Sequence, residues 1–197
     1  MSDARAPDAL PDDLADVFPA LDAIADPDLR DGVVEAYAVA LGDTDWGDLR
    51  EVPWLPDEQA RLGLPDESNV DHVNEVTALA VGMADELRTR RPALGLDRDL
   101  VVAGALLHDV SKLYEFAPGA SGDDAGTVYY DLLGHPYVGV AVCERAGLPV
   151  EVSHVVLSHT SRTAVEPATP EAAIVRRADE VAAAAIRWGG VDDLRTG

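Results

Sequence analysis

The sequence contains a single cysteine, Cys143, so the chain cannot form an intramolecular disulfide bond or a cluster of thiolate ligands. Any metal site must be built from imidazole and carboxylate groups, which favour Mn, Fe, Co, Ni, Zn or Mg over iron–sulfur chemistry. The sequence also lacks a run of about eighteen apolar residues, and its first residues carry neither a basic start nor an apolar signal core. These absences predict a cytoplasmic protein without a membrane span.

Basic residues are scarce, with 15 arginines and lysines against 37 acidic residues and a formal net charge of −22. A surface this negative repels nucleic acid phosphates, which argues against nucleic acid as a partner. Hydrophobic residues still make up 47% of the chain, which is enough to build a core. The charge balance is typical of halophilic proteins, in which molar salt screens the repulsion between carboxylates.

The chain length and the positions of proline- and glycine-containing breaks predict one full-sized domain with an N-terminal addition. At 197 residues the chain can bury one substantial core but is short for two independent ones. We expect a helical extension over residues 1–67, a core over 68–190 and a tail over 191–197. The extension should contain a helix that starts after the N-cap Asp26 and stops at Gly42. The oligomeric state is left open.

Helical periodicity runs through the core, and the predicted fold class is therefore all-α. The expected helices cover 70–90, 99–113, 136–146, 149–159 and 169–188. A loop rich in glycine and aspartate, from Pro118 to Gly126, separates the second of them from the third. Its flanks, 112–116 and 127–130, can pair as a short β-hairpin. A short helix is also expected near Asp12 to Phe18.

The five histidines lie between residues 72 and 159, and most of them stand where a helix would otherwise place an apolar side chain. His72 precedes apolar residues at offsets of four, seven and eleven, which puts its ring on the buried stripe of its helix. His108 and His159 share helix faces with apolar residues in the same way. His135 precedes a proline at the first position of another helix. Because buried ring nitrogens need a partner, several inward histidines together indicate a group that they all contact.

Two aspartates raise the same question. Asp179 lies on the apolar stripe of an alanine-rich helix and Asp109 ends an apolar segment, where an ionised carboxylate costs on the order of several kcal/mol unless a positive group meets it. Taken singly, an inward histidine is usually a hydrogen-bonded core residue, and an inward aspartate often caps a helix or pairs with arginine. Together they would leave too many unpaired polar groups unless they converge on a metal ion. The predicted metal ligands are His72, His108, Asp109, His135, His159 and Asp179.

His154 is the exception among the histidines. It lies five residues before His159, about 140° away around a helix, so the two rings cannot easily bind one ion from a regular helix. We expect His154 to support the ligands or to serve the fold, and a ligand role stays open. Arg162 is a further candidate for supporting the metal ligands, and the sequence indicates no specific contact for it.

The order His72, His108-Asp109, Asp179 resembles the HD superfamily of metal-dependent phosphohydrolases, whose motif is His, His-Asp, Asp on a helical bundle. The resemblance covers about residues 68–188 and is strongest over Ala105-Leu-Leu-His-Asp-Val-Ser-Lys112. His135 and His159 match the two further histidines of the subset that binds two metals. Within that subset, the segments around them are similar to the HD domains of certain bacterial 3′→5′ exoribonucleases and of symmetrical dinucleoside-tetraphosphate hydrolases.

This resemblance implies an HD-type helical bundle that holds two divalent ions. The implied ligands are His72, His108, Asp109 and Asp179 for the first ion and His135, His159 and the shared Asp109 for the second. The implied activity is hydrolysis of a nucleotide or another small phosphoester by a metal-activated water, because bound ions draw a phosphate through an otherwise repulsive field. Asp109 and Lys112 are the predicted catalytic residues, with Lys112 meeting substrate phosphate one helical turn past His108.

Two alternatives use the same pocket. A non-catalytic module would sense a nucleotide or a metal ion there, although a complete ligand set disfavours it because lost catalysis usually shows as missing ligands. Some relatives with two irons oxidise their substrates with the same residues, so a di-iron oxygenase is the other alternative. Metal identity and oxygen uptake separate oxidation from hydrolysis.

Overall fold

Capping residues determine where the longer helices of this chain begin. Asp26 accepts hydrogen bonds from two backbone N–H groups of the first turn, and Pro27 fills the first helical position. The side chains of Ser68 and Thr169 each accept one such hydrogen bond and cap two further helices. The predicted start of the first helix after Asp26 is therefore confirmed.

The computed structural model describes residues 14–64, 66–119 and 126–195. Within these ranges the helices are α1 Pro27–Asp43, α2 Pro56–Leu62, α3 Asn69–Arg90, α4 Arg98–Leu107, α5 Lys112–Glu115, α6 Val128–Leu132, α7 His135–Arg145, α8 Val150–Ser158 and α9 Pro170–Trp188. A 3-10 turn at Leu14–Asp16 replaces the described part of the helix that was predicted near Asp12 to Phe18. No helix in these ranges is long and apolar enough to cross a membrane. The predicted all-α fold class is confirmed.

Helix α4 forms the centre of the bundle. Its residues from Val101 to Leu107 are all buried, and α3, α8 and α9 pack around it. At Gly104 the contact with α8 is so close that an added Cβ would lie 2.6 Å from Val155 Cγ1. His108 and His159, which follow α4 and α8 directly, consequently have ring centroids only 5.1 Å apart.

The described part of the extension, residues 14–64, packs on the same core. The Tyr37 hydroxyl donates a hydrogen bond to the Leu106 carbonyl at 2.7 Å, and Trp46 Nε1 donates to the Leu113 carbonyl at 2.8 Å. Both aromatic side chains are buried in one hydrophobic cluster with residues of α4 and α7. The division of the chain into extension, core and tail stays a prediction.

The predicted continuous helix over 99–113 is wrong between Leu107 and Lys112. Helix α4 ends at Leu107, and four residues form a turn before α5 starts at Lys112. In this turn the N–H of Val110 bonds to the carbonyl of Leu107 at 3.1 Å, three residues back instead of the four of an α-helix. The apolar pattern continues through the turn, so the sequence does not reveal it.

The predicted β-hairpin is reduced to a single bridge between Phe116 and Gly126. The side chain of Thr127 accepts a hydrogen bond from the N–H of Tyr129 and caps α6, so the predicted second strand is the start of a helix. The loop residues 120–125 lie outside the described part of the chain.

Candidate metal centre

The structure brings the six predicted ligands together at one end of the bundle, each at a helix end or on an inward helix face. They are His72 in the first turn of α3, His108 directly after α4, Asp109 in the following turn, His135 at the start of α7, His159 directly after α8 and Asp179 within α9. The turn after α4 lets two consecutive residues, His108 and Asp109, face the same cluster.

Asp109 lies at the middle of this cluster and turns its two oxygens to different histidines. Its Oδ2 is 3.6 Å from His108 Nε2 and 3.8 Å from His72 Nε2. Its Oδ1 is 3.7 Å from His135 Nε2 and also 3.7 Å from His159 Nε2. The carboxylate therefore joins two groups of donors, each of which contains two imidazoles.

Asp179 completes the first of these groups. Its Oδ1 lies 3.1 Å from His72 Nε2, the same nitrogen that faces Asp109. Burial alone would raise the pKa of the Asp179 carboxyl, but the contact with His72 and the nearby imidazoles lower it. Burial would likewise raise the pKa of Asp109, whereas the charge of Lys112 and the surrounding histidines hold it well below its ordinary value. Both aspartates are therefore anionic donors.

Two of the histidines are fixed in the tautomer that a metal ligand needs. The ring Nδ1 of His108 lies 2.7 Å from the Ala105 carbonyl, and that of His159 lies 2.7 Å from the Val156 carbonyl. Because a carbonyl only accepts, each Nδ1 carries the proton and each Nε2 keeps its lone pair for the cluster. Burial and the neighbouring histidines lower the pKa of His159 to about 3, and burial also lowers the pKa of His108. The rings are neutral at physiological pH.

These donors fit a divalent metal ion. Donor atoms that share an ion at about 2.1 Å lie about 3 to 3.5 Å apart, close to the separations of 3.1 to 3.8 Å within the cluster. Several buried polar atoms near it, including His72 Nδ1 and His135 Nδ1, have no hydrogen-bond partner. Imidazole nitrogens and anionic carboxylates together are the donor chemistry that Mn, Fe, Co, Ni and Zn accept.

A cavity of about 890 Å³ opens over the cluster and gives it a substrate-sized space. Asp109 and Asp179 lie in its wall together with two of the histidines. One side of the cavity is formed by residues 54–61 of the extension and another by α9. Trp54 is buried in this wall, and its ring centroid lies 5.3 Å from that of His72.

Lys112 lies in the cavity wall, but the prediction that it lies one helical turn past His108 is wrong. It does not follow His108 on one continuous helix, since α4 ends before His108 and Lys112 begins α5. Its side chain is only 2% exposed, and its Nζ lies 5.4 Å from the centre of the Phe116 ring. A buried ammonium beside an anionic carboxylate cluster is a candidate contact for substrate phosphate.

Glu115 is the residue that the sequence analysis missed. Its side chain is fully buried, and its Oε2 lies 3.3 Å from His135 Nδ1 and 3.6 Å from Lys112 Nζ. Burial would raise the pKa of its carboxyl, but His135 and Lys112 lower it. In the sequence it stands three residues after Lys112, a spacing that is typical of ordinary ion pairs on helix surfaces.

Of the two supporting candidates, Arg162 lines the cavity, whereas the His154 ring bonds to a backbone N–H elsewhere. His154 Nε2 accepts a hydrogen bond from the Ala168 backbone N–H at 2.9 Å, which occupies that nitrogen away from the cluster. Arg162 lines the cavity, with its guanidinium 5.5 Å from the Tyr130 ring centre and its Nη1 3.9 Å from Glu115 Oε1. His154 therefore serves the loop before α9, while Arg162 faces the site.

Inward histidines and aspartates at one end of a helical bundle define a metal-binding helical domain. The HD domain family model matches residues 69–184, and this chain belongs to the HD-domain family. It is 34% identical over 114 residues to a dihydroneopterin 2′,3′-cyclic phosphate phosphodiesterase of Methanocaldococcus jannaschii, a match that covers 56% of this chain and 44% of that relative.

Ribonuclease Y proteins also match. The one from Pseudothermotoga lettingae is 31% identical over 115 residues, and the one from Thermotoga maritima is 34% identical over 115 residues. Each match covers 58% of this chain and 18% of the relative, so the chain spans less than half the length of these curated relatives. No solved structure matches the chain significantly.

Proposed function

We propose that this chain is a metal-dependent phosphohydrolase that acts on a nucleotide or another small phosphoester. The observation that carries the proposal is the position of Asp109, whose two oxygens face two separate histidine pairs beneath a cavity. The residues that would hold a first divalent ion are His72, His108, Asp109 and Asp179, and those that would hold a second are His135, His159 and Asp109. When bound, such ions supply Lewis acidity toward a phosphoryl oxygen and an activated water.

The chain's own residues bind and orient the phosphoester. Lys112 donates from its buried ammonium to a phosphate oxygen and offsets the charge that develops there. Arg162 also lines the cavity, and its side chain is 43% exposed, so it can meet the rest of the substrate. The hydrogen bonds of His108 and His159 to backbone carbonyls keep the two rings from rotating while substrates exchange.

Charge and size support a small substrate. Four basic side chains line this cavity in a chain whose net charge is −22, together with five acidic ones: Arg61, Lys112, Arg162 and Arg187, and Asp57, Glu58, Asp109, Asp179 and Glu180. Divalent ions held by the two aspartates would make the lining net positive and attractive to a phosphate, whereas the rest of the surface repels a long polyanion. The phosphodiesterase relative is named for a cyclic phosphate of a small molecule, which makes small cyclic phosphodiesters candidates. The ribonuclease relatives make RNA the competing substrate.

The test is a metal-resolved activity screen. The protein is purified in high KCl, its metals are measured, and nucleotides, 2′,3′-cyclic nucleotides, bis(p-nitrophenyl) phosphate and an RNA oligonucleotide are offered with Mn, Co, Ni, Mg or Fe. We expect hydrolysis of a small phosphoester that is lost in Asp109→Ala, with RNA left intact. Nucleotide binding without turnover would assign a sensing module, and iron-dependent oxygen uptake would assign an oxygenase.

A further inference from the structure

The ring of His135 lacks the backbone support that His108 and His159 have. Those two rings follow a helix, where carbonyls three residues back are free to accept from Nδ1. His135 instead is the first residue of α7, so no helical carbonyl precedes it. The atom that lies near its Nδ1 is Glu115 Oε2, at 3.3 Å.

The backbone is shaped for this approach. Gly134, which precedes His135, has φ 74° and ψ 158°, a conformation that side chains other than hydrogen rarely permit. A Cβ at Gly134 would lie at an ordinary van der Waals distance, 4.0 Å, from Glu115 Oε1, so the positive φ and not crowding requires glycine here. The backbone of Glu115 is also fixed, because its carbonyl accepts a hydrogen bond from the Thr127 N–H at 2.8 Å.

Resting on the proposed function, we infer that Glu115 is a positioning residue for the second donor group. Its Oε2, 3.3 Å from His135 Nδ1, is the acceptor nearest to that nitrogen; accepting the Nδ1 proton would leave Nε2 with its lone pair toward Asp109 Oδ1, 3.7 Å away. Its two oxygens also lie near Lys112 Nζ at 3.6 Å and Arg162 Nη1 at 3.9 Å. One buried carboxylate thereby aligns a ligand and the two cations that face substrate.

The simpler explanation is that Glu115 only neutralises Lys112. Two distances argue against it, because Oε2 is nearer to His135 Nδ1, at 3.3 Å, than to Lys112 Nζ, at 3.6 Å. Neither oxygen of Glu115 has a hydrogen-bond partner that would explain its burial, so the neighbours within 4 Å must account for it. A buried carboxylate with only a loose ion pair would be costly to retain.

The experiment uses Glu115→Gln, which keeps the size of the side chain and removes its charge. The matched control is Glu180→Gln, which removes one carboxylate from the same cavity wall, where it pairs with Arg176 and Arg177. In metal-free protein, ¹⁵N shifts of the His135 ring report its tautomer. Calorimetric titration with Mn²⁺ alone reports the affinity of each ion.

We expect wild type and Glu180→Gln to hold His135 with the proton on Nδ1, and Glu115→Gln to show a mixture of tautomers. Second-ion affinity should fall about tenfold or more in Glu115→Gln, while the first ion binds nearly as in wild type. Unchanged tautomer and unchanged affinity would overturn the inference. So would recovery of second-ion affinity in Lys112→Met/Glu115→Gln, since recovery is expected only if Glu115 merely neutralises Lys112.

These readouts do not depend on catalysis. If no phosphoester were hydrolysed, the proposed function would fail while the tautomer and the affinities still decided the role of Glu115. If wild type bound one ion only, a mixed His135 tautomer in Glu115→Gln would support the inference, and an unchanged one would overturn it.

Discussion

Arg187 donates from Nε and Nη2 to the two carboxylate oxygens of Glu58, at 2.9 and 3.0 Å. The pair joins α2 of the extension to the last turn of α9. The Arg187 guanidinium also lies 5.7 Å from the ring centre of Trp54, which packs against His72. One ion pair thus holds a wall of the cavity against a metal-ligand ring.

Glu58→Gln should lower the free energy of unfolding at neutral pH by about 1 kcal/mol, because it breaks a bidentate, partly buried pair. The hydrogen bond from Arg187 lowers the pKa of Glu58 below its ordinary value of 4.5. The stabilisation is therefore complete above about pH 4.5 and is lost as the pH falls through the lowered folded-state pKa. Chemical denaturation across pH measures it. Glu86→Gln, in an exposed pair with Arg90, is the control and should change little.

Metal content should reach two ions per chain at saturation, because Asp109 faces two donor groups. His135→Ala and His159→Ala should each leave one ion, and Asp109→Ala should abolish both sites. Elemental analysis after equilibrium dialysis gives the count. One ion at saturation, together with full activity in His135→Ala and His159→Ala, would establish a mononuclear centre.

Lys112→Met should leave the metal content intact and lower kcat/KM by about tenfold or more, equivalent to at least about 1.4 kcal/mol of transition-state stabilisation. Lys112→Arg should not restore activity fully, since the guanidinium is larger and spreads its charge. Steady-state kinetics with the substrate from the screen make the measurement. A decrease in melting temperature alone would assign Lys112 to charge balance with Glu115.

Gly104→Ala should destabilise the protein by about 1 to 3 kcal/mol, because the new methyl group would lie 2.6 Å from Val155 Cγ1 and force α4 away from α8. Adding Val155→Ala should recover part of the loss. Gly82→Ala provides the contrast, since nothing lies within 4 Å of its added Cβ. That exposed position in α3 should gain up to about 1 kcal/mol in thermal or chemical unfolding.

The melting temperature should rise as KCl increases from about 0.1 M, where the screening length is about 10 Å, toward molar concentrations. The reason is self-repulsion at a net charge of −22. Scanning calorimetry at several KCl concentrations tests this, with sucrose as a control for effects that are not electrostatic. A flat or falling curve would contradict the halophilic interpretation and leave the metal centre unaffected.

The sequence could predict the six donors because each is a polar residue on an apolar stripe or next to one, and a buried carboxylate such as Asp179 demands a partner. It could not predict Glu115, because a glutamate three residues after Lys112 looks like an ordinary surface pair until burial is known. The turn after Leu107 was missed since periodicity measures burial and not hydrogen bonding. Val128, Tyr129 and Tyr130 favour sheets and so predict a strand, whereas the hydrogen bond that the Thr127 side chain accepts from the N–H of Tyr129 caps a helix at this point.

The cavity wall formed by residues 54–61 precedes the segment that the chain shares with its family, which begins at residue 69. Substitutions in that wall can therefore alter the shape of the cavity without touching a donor atom. If the proposed function holds, substitutions at wall positions other than Trp54, which contacts His72, should change which phosphoesters enter the cavity more than they change metal binding. Residues 54–61 therefore shape the cavity from outside the part of the chain that the family model matches.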